Sequence, residues 1–184
     1  MKYVSLDLET SGLDTSFCQI LEIGAVVDDL DKPHNPELVA GDFFHCYVTH
    51  PKIVGQPYAL MMNADIIKVI AEGKHQNLKT PDEAADALKK WLQFHFGSSS
   101  KVTAAGKNFQ GFDKPFLEAQ FPKTDFLFHH RCFDATTSFY QKGDKALPDL
   151  KTCLERANIT LPFKLHTALD DARAVIALLR HIHK

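Results

Sequence analysis

The chain has 184 residues, 45% hydrophobic and 24% charged, with a formal net charge of -2 at pH 7. Length and composition suit one soluble globular α/β domain over residues 1–184 with a sizeable core. The near-neutral balance argues against tight, sequence-independent binding to long duplexes, whose affinity comes from neutralised phosphates.

Residues 3–13 open the chain as an alternating strand, with Val4, Leu6 and Leu8 on one face and Asp7 and Glu9 on the other. Two neighbouring carboxylates repel each other unless a cation sits between them, and hard cations such as Mg²⁺ or Mn²⁺ take such oxygen ligands. A half-solvated edge strand with two ordinary acids fits the same pattern. Residues 19–29 are strongly β-forming and nearly continuously apolar, as in a strand covered on both faces. The polar run 30–37 reads as a turn, with Asp28 and Asp29 read as turn-forming acids, and 43–48 alternates as a third strand. These three strands form an antiparallel meander.

A helical rhythm covers 57–71. Thr80, Pro81 and Glu83 then make a capping-box start for a helix reaching Phe96. Residues 101–105 predict a short fourth strand, 112–120 a helix and 131–135 a fifth strand. Helical segments follow near 137–141 and 150–157, and the last helix runs over 168–181. Strands first and helices later make a mixed sheet flanked by helices. No apolar run approaches the roughly 18 residues of a membrane span, so no membrane partner is expected. Four scattered cysteines, and a strand where a secretory leader would lie, predict a reduced, cytoplasmic chain.

Two later stretches bear on Asp7 and Glu9. Asp113 begins a helix after a strand and a glycine-containing loop, in the setting Asn108-Phe109-Gln110-Gly111-Phe112-Asp113. Phe112, Phe116 and Leu117 would anchor that helix and leave Asp113 on the rim. His166 lies in a loop five residues before Asp171, which falls in the first turn of the last helix. Of the adjacent Asp170 and Asp171 only one can point into a site, because helix neighbours lie about 100° apart, and the spacing favours Asp171. Among the ten histidines only His166 demands explanation.

Taken together, the three stretches resemble the three exonuclease motifs of the DEDDh 3′–5′ exonucleases. Asp7 and Glu9 match the first, Asp113 the second, and His166 with Asp171 the third, over essentially the whole chain. The resemblance implies an RNase H-like fold with a five-stranded mixed sheet, its first three strands antiparallel. It implies two Mg²⁺ or Mn²⁺ ions roughly 4 Å apart. Asp7 would bridge them, Glu9 and Asp171 would help hold one, Asp113 would hold the other, and His166 would be the general base. The substrate would be the 3′ end of single-stranded nucleic acid, RNA or DNA, cut to nucleoside 5′-monophosphates. Thr10, Leu13, Met62 and Asn63 would meet the terminal nucleotides, with Leu13 and Met62 equally readable as core, and Lys107, Lys114 and Lys164 flank the motifs. A homodimer or a polymerase partner stays open. Two alternatives remain at this point: a haloacid-dehalogenase-type Mg²⁺ phosphatase, which opens on a similar Asp-x-Asp-x-Thr, and a non-catalytic nucleic-acid-binding module.

Overall fold

Three long strands give the molecule its frame. β1 (Lys2–Thr10), β2 (Ile20–Asp29) and β3 (Phe43–Val48) pair antiparallel in sequence order. Two short parallel strands flank them, β4 (Leu78–Lys79) beside β3 and β5 (Ala104–Ala105) beside β1, so the order is β4-β3-β2-β1-β5. The computed structural model describes residues 1–184 apart from 36, 123 and 125–127. The expected 30–37 turn therefore includes one residue outside the described ones.

β1 lies inside the sheet and is covered on both faces. Val4, Leu6 and Leu8 pack with α3 (Pro81–Phe96) and α4 (Asp113–Gln120) through Leu88, Leu92, Phe116 and Leu117. Tyr3, on the opposite face, packs with α5 (Leu150–Arg156) and α6 (Ala168–Ile182) through Leu154, Val175 and Leu179. The result is a three-layer arrangement, helices on either side of a mixed sheet. Asp7 and Glu9 share the α6 face with Tyr3, but lie beyond the start of that helix.

Several expected elements differ. The 57–71 helix is two, α1 (Pro57–Met62) and α2 (Ala64–Glu72), broken at Asn63 with φ -96° and ψ 22°. Neither glycine nor proline marks the break; the Asn63 side chain instead donates to the Thr10 carbonyl at 2.9 Å. The 101–105 strand contracts to two residues. The 131–135 strand reduces to a single bridge, Phe133 to Ala105. There Asp134 turns the chain into a 3₁₀ helix (Ala135–Phe139) by accepting from the Thr136 backbone N–H and hydroxyl. The fifth strand comes from residues 78–79, too short to show a period. β2 continues through Asp28 and Asp29. Asp28 stays within the strand, whereas Asp29 also opens the turn, its carbonyl accepting from the Lys32 N–H at 2.9 Å and its side chain from the Asp31 N–H at 3.2 Å. The capping box at Thr80 is present as expected. Among the described residues no helix is long and apolar enough to cross a membrane.

Candidate active site

The site forms where α6 begins over β2. An added Cβ on Gly24 would fall 2.1 Å from the Leu169 nitrogen and 2.2 Å from the Ala168 carbonyl carbon, so only glycine admits the helix at this height. Gly24 is the cross-strand partner of Asp7. Seating the helix on Gly24 therefore brings the first turn of α6 beside Asp7. Thr167 caps the helix by accepting from the Asp170 N–H, and Asp171 turns toward β1. One carboxylate oxygen from each of Asp7, Glu9 and Asp171 lies within 4.8 Å of the others. Asp170 points away and pairs with Arg173 at 2.9 Å.

His166 enters the same place from the loop. Its backbone sits at φ +80°, a left-handed conformation uncommon outside glycine. Its N–H donates to Asp171 Oδ1 at 3.1 Å. Such strain costs on the order of 1–3 kcal/mol and clusters where geometry serves function. The His166 side chain stays exposed at the cleft.

Asp113 is buried rather than on the rim, with 1% of its surface exposed. β5 is too short to pair with the end of β1, so the Leu8 N–H is left over, and Asp113 Oδ1 accepts from it at 3.0 Å. Phe116 and Leu117 are buried and anchor α4 as expected. Asp113 stands outside the tight trio but against Asp7.

The acids strain one another. Burial, then the charges of Asp113, Asp171 and Glu9, pushes the Asp7 carboxyl well above the usual range. Burial and then Asp171 push Glu9 up to about 7. Burial raises Asp113 to about 8 against the backbone N–H groups that favour its charged form. Burial raises Asp171 too, opposed by the His166 N–H. An all-oxygen set of crowded, desolvated carboxylates is the donor chemistry of a hard divalent cation, whose charge would relieve the repulsion.

A cleft of about 450 Å³ opens over these groups, lined by Asp7, Glu9, Leu13, Lys107, His166 and Asp171 among others. Leu13 is 75% exposed and Met62 49% exposed, so neither is core. Thr10 and Asn63 are buried and bonded within the protein, the Thr10 hydroxyl donating to the Gly12 carbonyl at 2.7 Å. Lys107 lines the cleft, whereas Lys114 pairs with Glu118 at 2.7 Å. The sequence alone assigns no role to Glu22, an acid within a strand, or to His45 and Gly24. The signal for Glu22 was available: a carboxylate inside an otherwise apolar strand is almost never buried without a partner.

The sheet order and the gathering of acids at the ends of β1, α4 and α6 define an RNase H-like nuclease. A family model described as exonuclease matches residues 4–179, and the chain belongs to that family as a DEDDh-type 3′–5′ exonuclease. An oligoribonuclease of Francisella tularensis subsp. novicida is 27% identical over 186 residues, covering 95% of this chain and 90% of that protein. An oligoribonuclease of Aliivibrio fischeri is 26% identical over 188 residues, covering 96% and 90%. Two solved structures share the fold. One is the nuclease domain of 3′hExo, a DEDDh family member bound to rAMP (TM-score 0.67, 14% identity, 98% of this chain and 90% of that one). The other is cell-death related nuclease 4 (TM-score 0.71, 12% identity, 98% and 63%). The phosphatase alternative needed Asp170 beside Asp171 as a metal-binding pair, and Asp170 is committed to Arg173.

Proposed function

We propose that this exonuclease is metal-dependent, that Asp7, Glu9, Asp171 and Asp113 hold two Mg²⁺ or Mn²⁺ ions, and that His166 is the general base. The observation that carries the reading is the trio of carboxylate oxygens within 4.8 Å of one another beside an exposed, strained histidine. When bound, such ions supply Lewis-acid stabilisation of the phosphoryl and leaving oxygens and ease deprotonation of the attacking water. The chain's own residues do the rest. Asp171 fixes the His166 backbone, and the imidazole accepts the proton of the water as general base. The water oxygen adds to phosphorus, and the bond from phosphorus to the 3′-oxygen of the penultimate nucleotide breaks. The terminal residue leaves as a nucleoside 5′-monophosphate, and the shortened strand takes a proton on its new 3′-hydroxyl.

Short single-stranded oligonucleotides are the substrate class we favour, with RNA preferred. The cleft has the size of small-ligand sites, about 300–1,000 Å³, rather than of a long groove. The bacterial relatives named above are oligoribonucleases. Exposed Leu13 and Met62 would bear on the terminal bases, contact that tolerates any sequence. Matched 5′-labelled RNA and DNA, from dinucleotides to about 24-mers, followed in Mg²⁺, Mn²⁺ and EDTA, test this. The expected result is a metal-dependent ladder shortening from the 3′ end, faster on short RNA, and slowed about 10²–10⁴-fold in His166→Ala. No shortening in either metal, or an undiminished rate in His166→Ala, would sink it.

A further inference from the structure

Glu22 has no exposed surface, although it lies in a strand of isoleucine, leucine, glycine and alanine. A buried carboxylate is tolerated only when its oxygens are bonded, and both of these are. Oε1 takes His45 Nε2 from β3 at 2.6 Å, and Oε2 takes the Ala168 N–H at 3.0 Å. Ala168 is the first residue of α6, where helix geometry leaves the N–H without a partner. Glu22 thus caps α6 from the neighbouring strand, where Thr167 caps it from its own chain.

The register gives that cap a consequence. Glu22 stands opposite Glu9, and Gly24, two residues on, stands opposite Asp7. One strand therefore carries both the seat of the helix and its tether, each directly across from a member of the carboxylate trio. His45 is the cross-strand partner of Gly24, so the group that steadies Glu22 rises from the same row.

We propose that Glu22, steadied by His45, is a positioning residue that sets the height of α6 and hence the placing of Asp171 and His166 against Asp7 and Glu9. The inference rests on the metal-dependent reading above. It separates length from charge: the role belongs to the reach of the side chain to Ala168, not to one more negative charge near the ions.

Glu22→Asp keeps the charge and loses one methylene; Glu22→Gln loses the charge and keeps the reach and an acceptor oxygen. Mn²⁺ affinity is read by electron paramagnetic resonance titration without nucleic acid, and kcat and KM on a short 5′-labelled oligoribonucleotide. As for residues that orient metal ligands, Glu22→Asp should weaken Mn²⁺ about tenfold and lower kcat about 10–100-fold with KM within about twofold, while Glu22→Gln stays within about threefold of the parent. A Glu22→Asp protein with parental affinity and kcat overturns the proposal, and so does a Glu22→Gln protein as damaged as the Asp variant. Should Glu22→Asp not fold, His45→Ala carries the test: reduced Mn²⁺ affinity supports the tether, and parental affinity overturns it. A parent that binds no Mn²⁺ fails the functional reading itself, whereas a parent that binds it beside an unaltered Asp variant fails the positioning role alone.

Discussion

The two ends of one face treat their acids in opposite ways. At the far end of β1, β2 and α6, Asp28 accepts from Arg180 at 2.7 and 2.9 Å and from the Tyr3 hydroxyl at 2.6 Å. Burial works upward on Asp28, but the guanidinium and the hydroxyl outweigh it and hold the carboxyl below its usual range. At the near end, Asp7, Glu9, Asp113 and Asp171 crowd together and all shift upward. β1 and α6 contribute to both ends, and α4 adds Asp113 at the near one. For Asp28, which serves the fold, the chain itself provides the cation. At the near end no Lys or Arg pairs with the acids among the described residues, they repel one another, and on the proposed reading a bound metal ion supplies the balancing charge.

The sharpest way to break that contrast is Asp7→Asn. It should remove metal binding and lower activity on the order of 10⁴-fold, as loss of a member of a catalytic unit does. The same change should raise the melting temperature of the metal-free protein, because a repelling charge is gone; a fall in calorimetry would show that the acids do not destabilise it.

Asp28→Asn should do the reverse. Losing charge-assisted bonds to Arg180 should cost roughly 1.5–3 kcal/mol of stability by urea unfolding, with kcat at the parental level. An unchanged unfolding midpoint would mean that the far end is not held by this pair.

A smaller effect distinguishes the ends by pH. Glu9 at about 7 and Asp113 at about 8 lie above the unfolded values of about 4.3 and 3.9. Between those limits the native state binds more protons than the unfolded one, so metal-free stability should decline as pH rises from about 5 to about 8. Saturating Mg²⁺ should abolish the decline. Asp28, with its depressed folded value, contributes stability that is present above about pH 4 and lost as pH falls further. Melting temperatures that rise between pH 6 and 8 in EDTA would contradict the first half of this account.

Much of the molecule was legible from local pattern. Alternation gave β1 and β3, and the capping box gave the start of α3, because these signals are written in neighbouring residues. The five motif residues were legible through their types and order, which a whole family shares. The break at Asn63 was not, since the helical rhythm runs through it and the decision lies in a bond to Thr10, 53 residues away. Nor was β4, whose two residues hold a place only because the edge of β3 was open to them. The burial of Asp113 depended on a Leu8 N–H that β5 was too short to use.

By itself the sequence determined which chemistry the chain carries: which residues are acids, which faces are apolar, where helices begin. Tertiary structure alone decided which acids would be neutralised and which left to repel. Asp28 and Asp7 are four pairs apart along the same two strands, and nothing local tells them apart. Arg180 reaches one from the far turn of α6, and Gly24 lets the near turn bring Asp171 to the other. Charge balance at a site is a sum over elements distant in sequence, fixed only once packing sets their separations.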